Sequence, residues 1–446
     1  MHPSQARQYF DTFVNYEHRR GSIPRTSFKL ERVRRLLAQL GDPQKNLKVI
    51  HVAGSKGKGS VCAMTAAILR RAGYKVGLYT SPHINTYRER IRVLSPASTE
   101  TDGRGEDIFP DMISEQDLCR VIDEIKPVID RACAGPVSGR VTFFEMYTVL
   151  ALYYFHQQQT DFVVLETGLG GRLDATNVAD SLVAVITPIS LEHTDILGNT
   201  VARIAGEKAA IIKTRGQMVV LAPQERDARE VLMARCREFE CRVVGADFDH
   251  DISRVRLEGD GQTFDLQTPG AKYGNLSLRL MGAHQRRNAS VAVAAVECLR
   301  ERGTALPPDC VRRGLRDVFW PGRFEVFSRQ PLVILDGAHN GSSARALART
   351  VREVYGAKKV VLVAGFSEDK NETSILRELE GLAAKTILAK SCHPRAKSLT
   401  DAVSVADALD LARDSAGPDD MILVTGSLFI ISEARQELLK NGVVSQ

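Results

Sequence analysis

The residues best suited to chemistry in this chain form one glycine- and lysine-rich loop, Gly54-Ser55-Lys56-Gly57-Lys58-Gly59-Ser60. An apolar strand-like run, Val49–Ala53, precedes it, and a helix-like run from Val61 to Arg71, stopped by Gly73, follows it. Strand, glycine loop and helix in that order aim successive backbone N–H groups and a helix N-terminus at a phosphate. Lys58 then reaches outer phosphates, and the Ser60 hydroxyl lies where a magnesium ion would be held. The pattern departs from a strict phosphate-loop signature, because Val52 stands where its first glycine should be and Gly59 separates lysine from hydroxyl. The flanking elements favour nucleoside triphosphate binding over a plain structural turn.

In open parallel sheets ligands gather at the carboxyl ends of the strands. The other strand-like runs end in Thr80-Ser81-Pro82-His83, in Glu166 before Thr167-Gly168-Leu169-Gly170-Gly171, and in Leu191-Glu192-His193. Ser81, Glu166 and His193 thus supply a hydroxyl, a carboxylate and an imidazole to the edge that carries the phosphate loop. Oxygen donors suit magnesium, and a histidine is the less usual member of the set. Taken singly, Ser81 reads equally as a turn former and His193 as an ordinary loop histidine. Lys208 lies among small apolar residues in Ile204–Lys213, which reads as a helix. The bland reading is a solvated lysine; drawn into an apolar site, its amine would become nucleophilic and able to take up CO2 as a carbamate. In the second half, Asn288 sits in a polar cluster opening a helix, Arg323 follows a Pro-Gly pair, and Asp336 ends a strand. Helix capping is the plain reading of the Asn288 cluster and a surface position that of Arg323, while the charged groups are candidates for one ATP.

These groups need a scaffold. Apolar runs at 49–53, 76–80, 162–166 and 182–189 alternate with helical stretches, including Glu115–Cys133 and Phe143–His156, the pattern of an α/β fold with a parallel sheet. Between Arg242 and Leu280 alternating segments on either side of Gly259-Asp260-Gly261 predict a small antiparallel extension. A helix over about His284–Arg302 follows, and Pro321-Gly322 marks the boundary. Runs at 332–336, 360–365, 386–390 and 421–425 then predict a smaller Rossmann-like domain. The expected division is 1–320 for a phosphate-loop ATPase domain and 321–446 for the second.

With 446 residues, two domains are the expectation. The formal net charge of +6 suits anionic small molecules, and the single tryptophan and lack of long basic runs argue against nucleic acid. Eight scattered cysteines match no zinc pattern. The N-terminal stretch lacks a signal-peptide core and no apolar run reaches membrane-spanning length, so a cytoplasmic protein is expected.

In order along most of the chain come HVAGSKGKGS (51–60), SPH (81–83), RERIRV (88–93), TFFE (142–145), ETGLGGRLDATN (166–177), LEHTDILG (191–198), EKA (207–209), HQRRNA (284–289), PGRFE (321–325), LDGAHN (335–340), HPRA (393–396) and TGSL (425–428). With these motifs the chain closely resembles the folylpolyglutamate synthase/dihydrofolate synthase family of the Mur ligase superfamily. The resemblance implies Mur ligase architecture and an ATP-dependent ligase that joins L-glutamate to folates, and to dihydropteroate in bifunctional members, through an acyl phosphate. It implies ATP at Ser55, Lys56, Gly57, Lys58, Gly59, Ser60, Asn288, Arg323 and Asp336. Magnesium would lie at Ser81, Glu166 and His193. The pteridine would lie at Thr142, Leu173, Asp174 and Ala175. Lys58, Lys208, Glu166 and His193 would carry catalysis, with Lys208 carbamylated. The implied protein is a monomer, its only partners small molecules. Ser55-Lys56, Gly206 and Glu192 depart from the commoner family residues without removing a functional group. Three readings stay open: a ligase with one folate activity, a Mur-type ligase for another acceptor, and a nucleotide switch that binds without ligating.

Overall fold

The computed structural model describes residues 1–16, 29–96, 108–134, 141–246, 249–259 and 261–440. Most of the loop expected between Leu94 and Asp111, and Asp260 of the expected hairpin turn, lie outside them. The chain divides into two compact units, one of residues 1–252, 266–274 and 287–317, the other of 253–265, 275–286 and 318–446.

The first unit is built on a seven-stranded sheet of β1 (Val49–Ala53), β2 (Val76–Tyr79), β3 (Ile91–Leu94), β4 (Phe162–Glu166), β5 (Ser181–Ile186), β6 (Met218–Leu221) and β7 (Arg242–Gly245). Their spatial order is β3-β2-β4-β1-β5-β6-β7, all parallel except β3, which runs against β2. β1 and β4 are buried at every residue, as helices on both faces require, which is why they read as unbroken apolar runs rather than alternating ones. The structure corrects the reading of 242–245. Despite the change of periodicity there, these residues extend the parallel sheet, and only β8 (Asp251–Glu258), β9 (Gly261–Gln267) and β10 (Lys272–Leu278) form the separate three-stranded sheet. The helix expected over Ile204–Lys213 is shifted to Val201–Ala209, with Thr200 as its N-cap accepting from Arg203 N.

The second unit carries β11 (Glu325–Arg329), β12 (Leu332–Asp336), β13 (Val360–Ala364), β14 (Ala383–Lys390), β15 (Val403–Ser404) and β16 (Met421–Thr425) in the order β11-β12-β16-β13-β14-β15. Alternate residues feed two cores. Ile334, Leu362 and Leu423 face one, and Val333, Leu335, Val361, Val363 and Val424 the other.

Helix packing in the first unit has no slack where the helix Cys310–Asp317 crosses the helix Lys58–Arg71. A Cβ on Gly314 would stand 2.5 Å from Ile68 Cα and 2.7 Å from Ile68 N, and a backbone cannot retreat as a side-chain tip can. We therefore expect Gly314→Ala to cost about 1–3 kcal/mol through overpacking, more than the helix propensity alanine gains. A urea midpoint equal to wild type would contradict this packing.

Candidate functional site

The phosphate loop leaves β1 at the middle of the sheet, and the loops after β2, β4 and β5 leave the same edge. Gly57 has φ +85°, the left-handed conformation that a glycine accepts without strain, and is the N-cap of the helix Lys58–Arg71. No side chain caps that helix, so the N–H groups of its first turn, at Lys58, Gly59 and Ser60, face outward with the positive end of the helix dipole. A Cβ on Gly57 would lie 2.5 Å from Asn288 Oδ1, so Asn288 of the helix Ala283–Glu301 sits directly on the loop. The N–H groups of Ser55 and Lys56 instead donate to Pro188 O, at 3.0 and 3.2 Å. Ser55 Oγ also donates to Ser190 O and accepts from Ser190 N. Phosphate-facing donors are thereby narrowed to Gly57 through Ser60, while Ser55 ties the loop to the segment after β5.

Two lysines meet at the loop's first carbonyl. Lys58 Nζ donates to Gly54 O at 3.1 Å and Lys208 Nζ to the same oxygen at 2.8 Å. Lys208 is only 1% exposed and also pairs with Glu192 Oε1 at 2.8 Å. Burial pulls its pKa down to about 8, against the raising effect of Glu192, and nearby Lys58 adds to the fall. Lys56 is half-buried, and burial lowers its pKa too, opposed by Glu192 and Glu225.

Glu166 ends β4 and is 5% exposed. Its Oε2 accepts from Ser81 N at 3.1 Å, so the strand ends of β2 and β4 bring Ser81 and Glu166 together. His193 is exposed on the loop after β5 with φ +46°, an uncommon left-handed conformation for a non-glycine residue and the kind found at functional loops. Among the described residues no group of three or more His, Cys, Asp and Glu side chains is arranged to hold a metal ion. A hydroxyl and a carboxylate are nevertheless hard oxygen donors of the kind magnesium takes, with substrate oxygens and water filling the rest.

Thr142 is the N-cap of the helix Phe143–Gln157, its hydroxyl accepting from Glu145 N while Glu145 Oε2 accepts from Thr142 N. Glu145 is held in turn by Arg32, with Nη2 to Oε1 at 2.6 Å and Nε to Oε2 at 3.0 Å, both side chains buried. Asp174 is the N-cap of the turn Ala175–Val178, which packs against the helix Phe143–Gln157 and the helix Leu30–Gln39 that carries Arg32. The neighbouring glycine run is shaped by close approach. A Cβ on Gly168 would overlap the Phe144 ring, and one on Gly171 would reach Glu207 O at 2.8 Å. Thr142 and Leu173–Ala175 therefore share one neighbourhood.

In the second unit, Asp336 ends β12 and each carboxylate oxygen accepts one backbone N–H, Phe324 N and Ala338 N, both at 2.9 Å. The Arg323 guanidinium lies over Gly337, within 2.8 Å of where a Cβ would stand. Glu325 accepts from Gly322 N and from Arg435 Nε, a buried pair that fixes the loop bearing Arg323. Arg32, Glu145, Glu325 and Arg435 were not singled out from sequence. The Thr-Phe-Phe-Glu spacing is a capping-box signature that would have found Glu145, whereas nothing local marks Arg32 or Arg435.

Comparison with known proteins places the chain in a family. Residues 126–296 match the Mur ligase middle domain and residues 322–428 the Mur ligase glutamate ligase domain. The dihydrofolate synthase/folylpolyglutamate synthase of Bacillus subtilis is 35% identical, with 92% of this chain and 94% of that one covered. The chain belongs to the folylpolyglutamate synthase/dihydrofolate synthase family. It is accordingly an ATP-dependent ligase of Mur architecture. A probable bifunctional folylpolyglutamate synthase/dihydropteroate synthase of Haloferax volcanii is 37% identical over 91% of this chain, which spans 48% of that longer protein. Among solved structures, Mycobacterium tuberculosis folylpolyglutamate synthase complexed with ADP superposes with a TM-score of 0.86 at 32% identity, covering 97% of each chain. An FPGS–AMPPCP–folate complex gives 0.84 at 30% identity, covering 98% of this chain and all of that one. Among the described residues, no helix is long and apolar enough to cross a membrane.

The lowered pKa of Lys208 carries a sign. Unfolded, the amine titrates near 10.5; folded, near 8. Between those values the unfolded state holds more protons, so this residue's contribution to stability improves as pH rises from 8 to 10.5, while below 8 its full burial cost is felt. The stability deficit of wild type relative to Lys208→Met should therefore narrow over that interval in urea titrations. A pH-independent difference would show that the amine is not held in a charge-averse site.

Proposed function

We propose that this chain joins L-glutamate in amide linkage to the terminal carboxylate of folates, and to dihydropteroate, at the expense of ATP. The observation that carries the reading is the meeting of Lys58 and Lys208 at Gly54 O, 3.1 and 2.8 Å away. A nucleotide switch has no use for a second, buried lysine behind its phosphate loop. A ligase does, because the amine, once turned into a carbamate anion, would help hold a cation beside the transferring phosphoryl group.

In this reading Gly57–Ser60 and Lys58 bind the triphosphate, with Asn288, Arg323 and Asp336 contributing to the nucleotide. The neutral amine of Lys208, accessible at its lowered pKa, adds to CO2 and releases a proton to give a carbamate, exchanging a buried cation for an anion. Ser81, Glu166 and His193 would hold magnesium, which when bound neutralises charge on the phosphates. The folate carboxylate attacks the γ-phosphorus and ADP leaves, giving an acyl phosphate. The glutamate amine then attacks the acyl carbon, phosphate departs, and the amine loses its proton. Thr142, Leu173, Asp174 and Ala175 would line the pteridine end. The eight cysteines are all unpaired thiols, which supports a reducing, cytoplasmic setting, and a monomer suffices for the proposed site.

Product mass spectrometry after incubation with Mg-ATP, L-glutamate and either dihydropteroate or tetrahydrofolate tests this directly. One added glutamate on the first and a ladder on the second are expected. A product from one substrate only would restrict the enzyme to a single activity. Glu166→Ala and Lys208→Ala are each expected to lower turnover at least about a thousandfold with the fold retained by circular dichroism. Near-normal turnover in either would remove its assigned role.

A further inference from the structure

Behind the residues assigned to the pteridine lies a buried polar chain that neither the phosphate loop nor the ligation chemistry uses. It begins at His51, in the middle of β1 and fully buried, with Nε2 2.8 Å from Thr176 Oγ1. Thr176, also fully buried, hydrogen-bonds through the same hydroxyl to Asp174 Oδ1. Asp174 Oδ1 additionally accepts from Thr176 N at 3.0 Å, and its Oδ2 accepts from Leu169 N at 2.8 Å. One carboxylate thus holds both the turn Ala175–Val178 and the glycine-rich stretch that follows Glu166.

The direction of the protons follows from what each group can do. Both oxygens of Asp174 accept backbone N–H groups, so the Thr176 hydroxyl donates to Asp174 and is left as an acceptor on its other side. His51 must then donate from Nε2, which fixes the neutral imidazole as the Nε2–H tautomer. Its Nδ1 is left as a lone pair, and that atom is buried with no hydrogen-bond partner among the described residues. A buried histidine kept neutral with one nitrogen unsatisfied is costly to stability. An aliphatic residue in a strand otherwise made of Val49, Ile50, Val52 and Ala53 would avoid that cost.

We propose that His51 is a positioning residue for the pteridine subsite, acting through Thr176 to fix Asp174 and with it the wall formed by Leu169 and Leu173–Ala175. The proposal rests on the pteridine reading of Asp174 given above. It makes β1 serve two ends of the reaction, since the strand that launches the phosphate loop also sets the wall against which the pteridine ring lies. A pterin is a flat ring recognised by hydrogen bonds at fixed angles, so a rotation of the turn at 175–178 weakens its binding while leaving the triphosphate contacts unaffected.

Steady-state kinetics with dihydropteroate, at saturating Mg-ATP and glutamate, test it with full-length variants. Asp174→Asn serves to test the underlying reading: if it leaves the KM for dihydropteroate unchanged, the pteridine assignment fails and the proposal with it. Given a raised KM there, Thr176→Val is expected to raise the KM for dihydropteroate about tenfold, the worth of one hydrogen bond to a charged group. The KM for ATP and kcat should stay within about twofold of wild type, and Thr176→Ser, which keeps the hydroxyl, should restore the wild-type value. A parallel rise in the KM for ATP, failure of serine to rescue, or no change with valine would overturn the relay while leaving the pteridine reading standing. His51→Leu deletes the donor together with the unsatisfied lone pair. A KM for dihydropteroate raised as in Thr176→Val with a thermal midpoint at or above wild type is expected, and an unchanged KM overturns the proposal even where Thr176→Val does not fold. The wild-type enzyme supplies a check free of mutation: 15N NMR of the His51 ring should show the Nε2–H tautomer, and an Nδ1–H tautomer would refute the relay.

Discussion

The arrangement of the first unit depends on two ammonium groups, those of Lys58 and Lys208, being drawn to the single carbonyl of Gly54. Two like charges at one oxygen repel each other, and the repulsion is tolerated because Glu192 supplies an anion on the far side of Lys208. Anything that adds negative charge beside the loop relieves the strain between them. A triphosphate would do so from outside. The loop is thus electrostatically incomplete by itself, and Glu192 partly offsets that deficit.

A second theme recurs at three acidic residues that end a strand or cap a turn. Glu166 accepts from Ser81 N, Asp174 from Leu169 N and Thr176 N, and Asp336 from Phe324 N and Ala338 N. Burial pushes the Asp174 and Asp336 carboxyls upward and these backbone donors oppose it. Each acid therefore reaches its position as the chain folds, so the ordering cost is met before any ligand arrives.

Much of this was legible in the sequence, although the interior strand β6, buried throughout, was not among the runs read from it. Strands buried on both faces leave unbroken apolar runs, so β1, β4, β12, β13 and β16 could be placed closely, along with the polar residues at their ends. Edge strands leave no such mark. β3 and β11 are antiparallel additions at sheet margins, β7 has exposed and half-exposed residues, and its alternation imitated the neighbouring three-stranded sheet. The side chains that aim the site were harder still. His51 lies within an apolar strand, and Arg32 and Glu145 are 113 residues apart, so their partnership exists only once the helices Leu30–Gln39 and Phe143–Gln157 have packed. Local pattern can reveal a group with a chemical duty, whereas the group that holds it steady is defined by distance in space.

The bonds from Ser55 and Lys56 to Pro188 and Ser190 have one more consequence. They join the phosphate loop to the stretch that bears Glu192 and His193. Occupancy of the first is then linked to the geometry of the second, and any such coupling is equal in both directions. That coupling is built into four hydrogen bonds and a turn, without any need for a large movement of the chain.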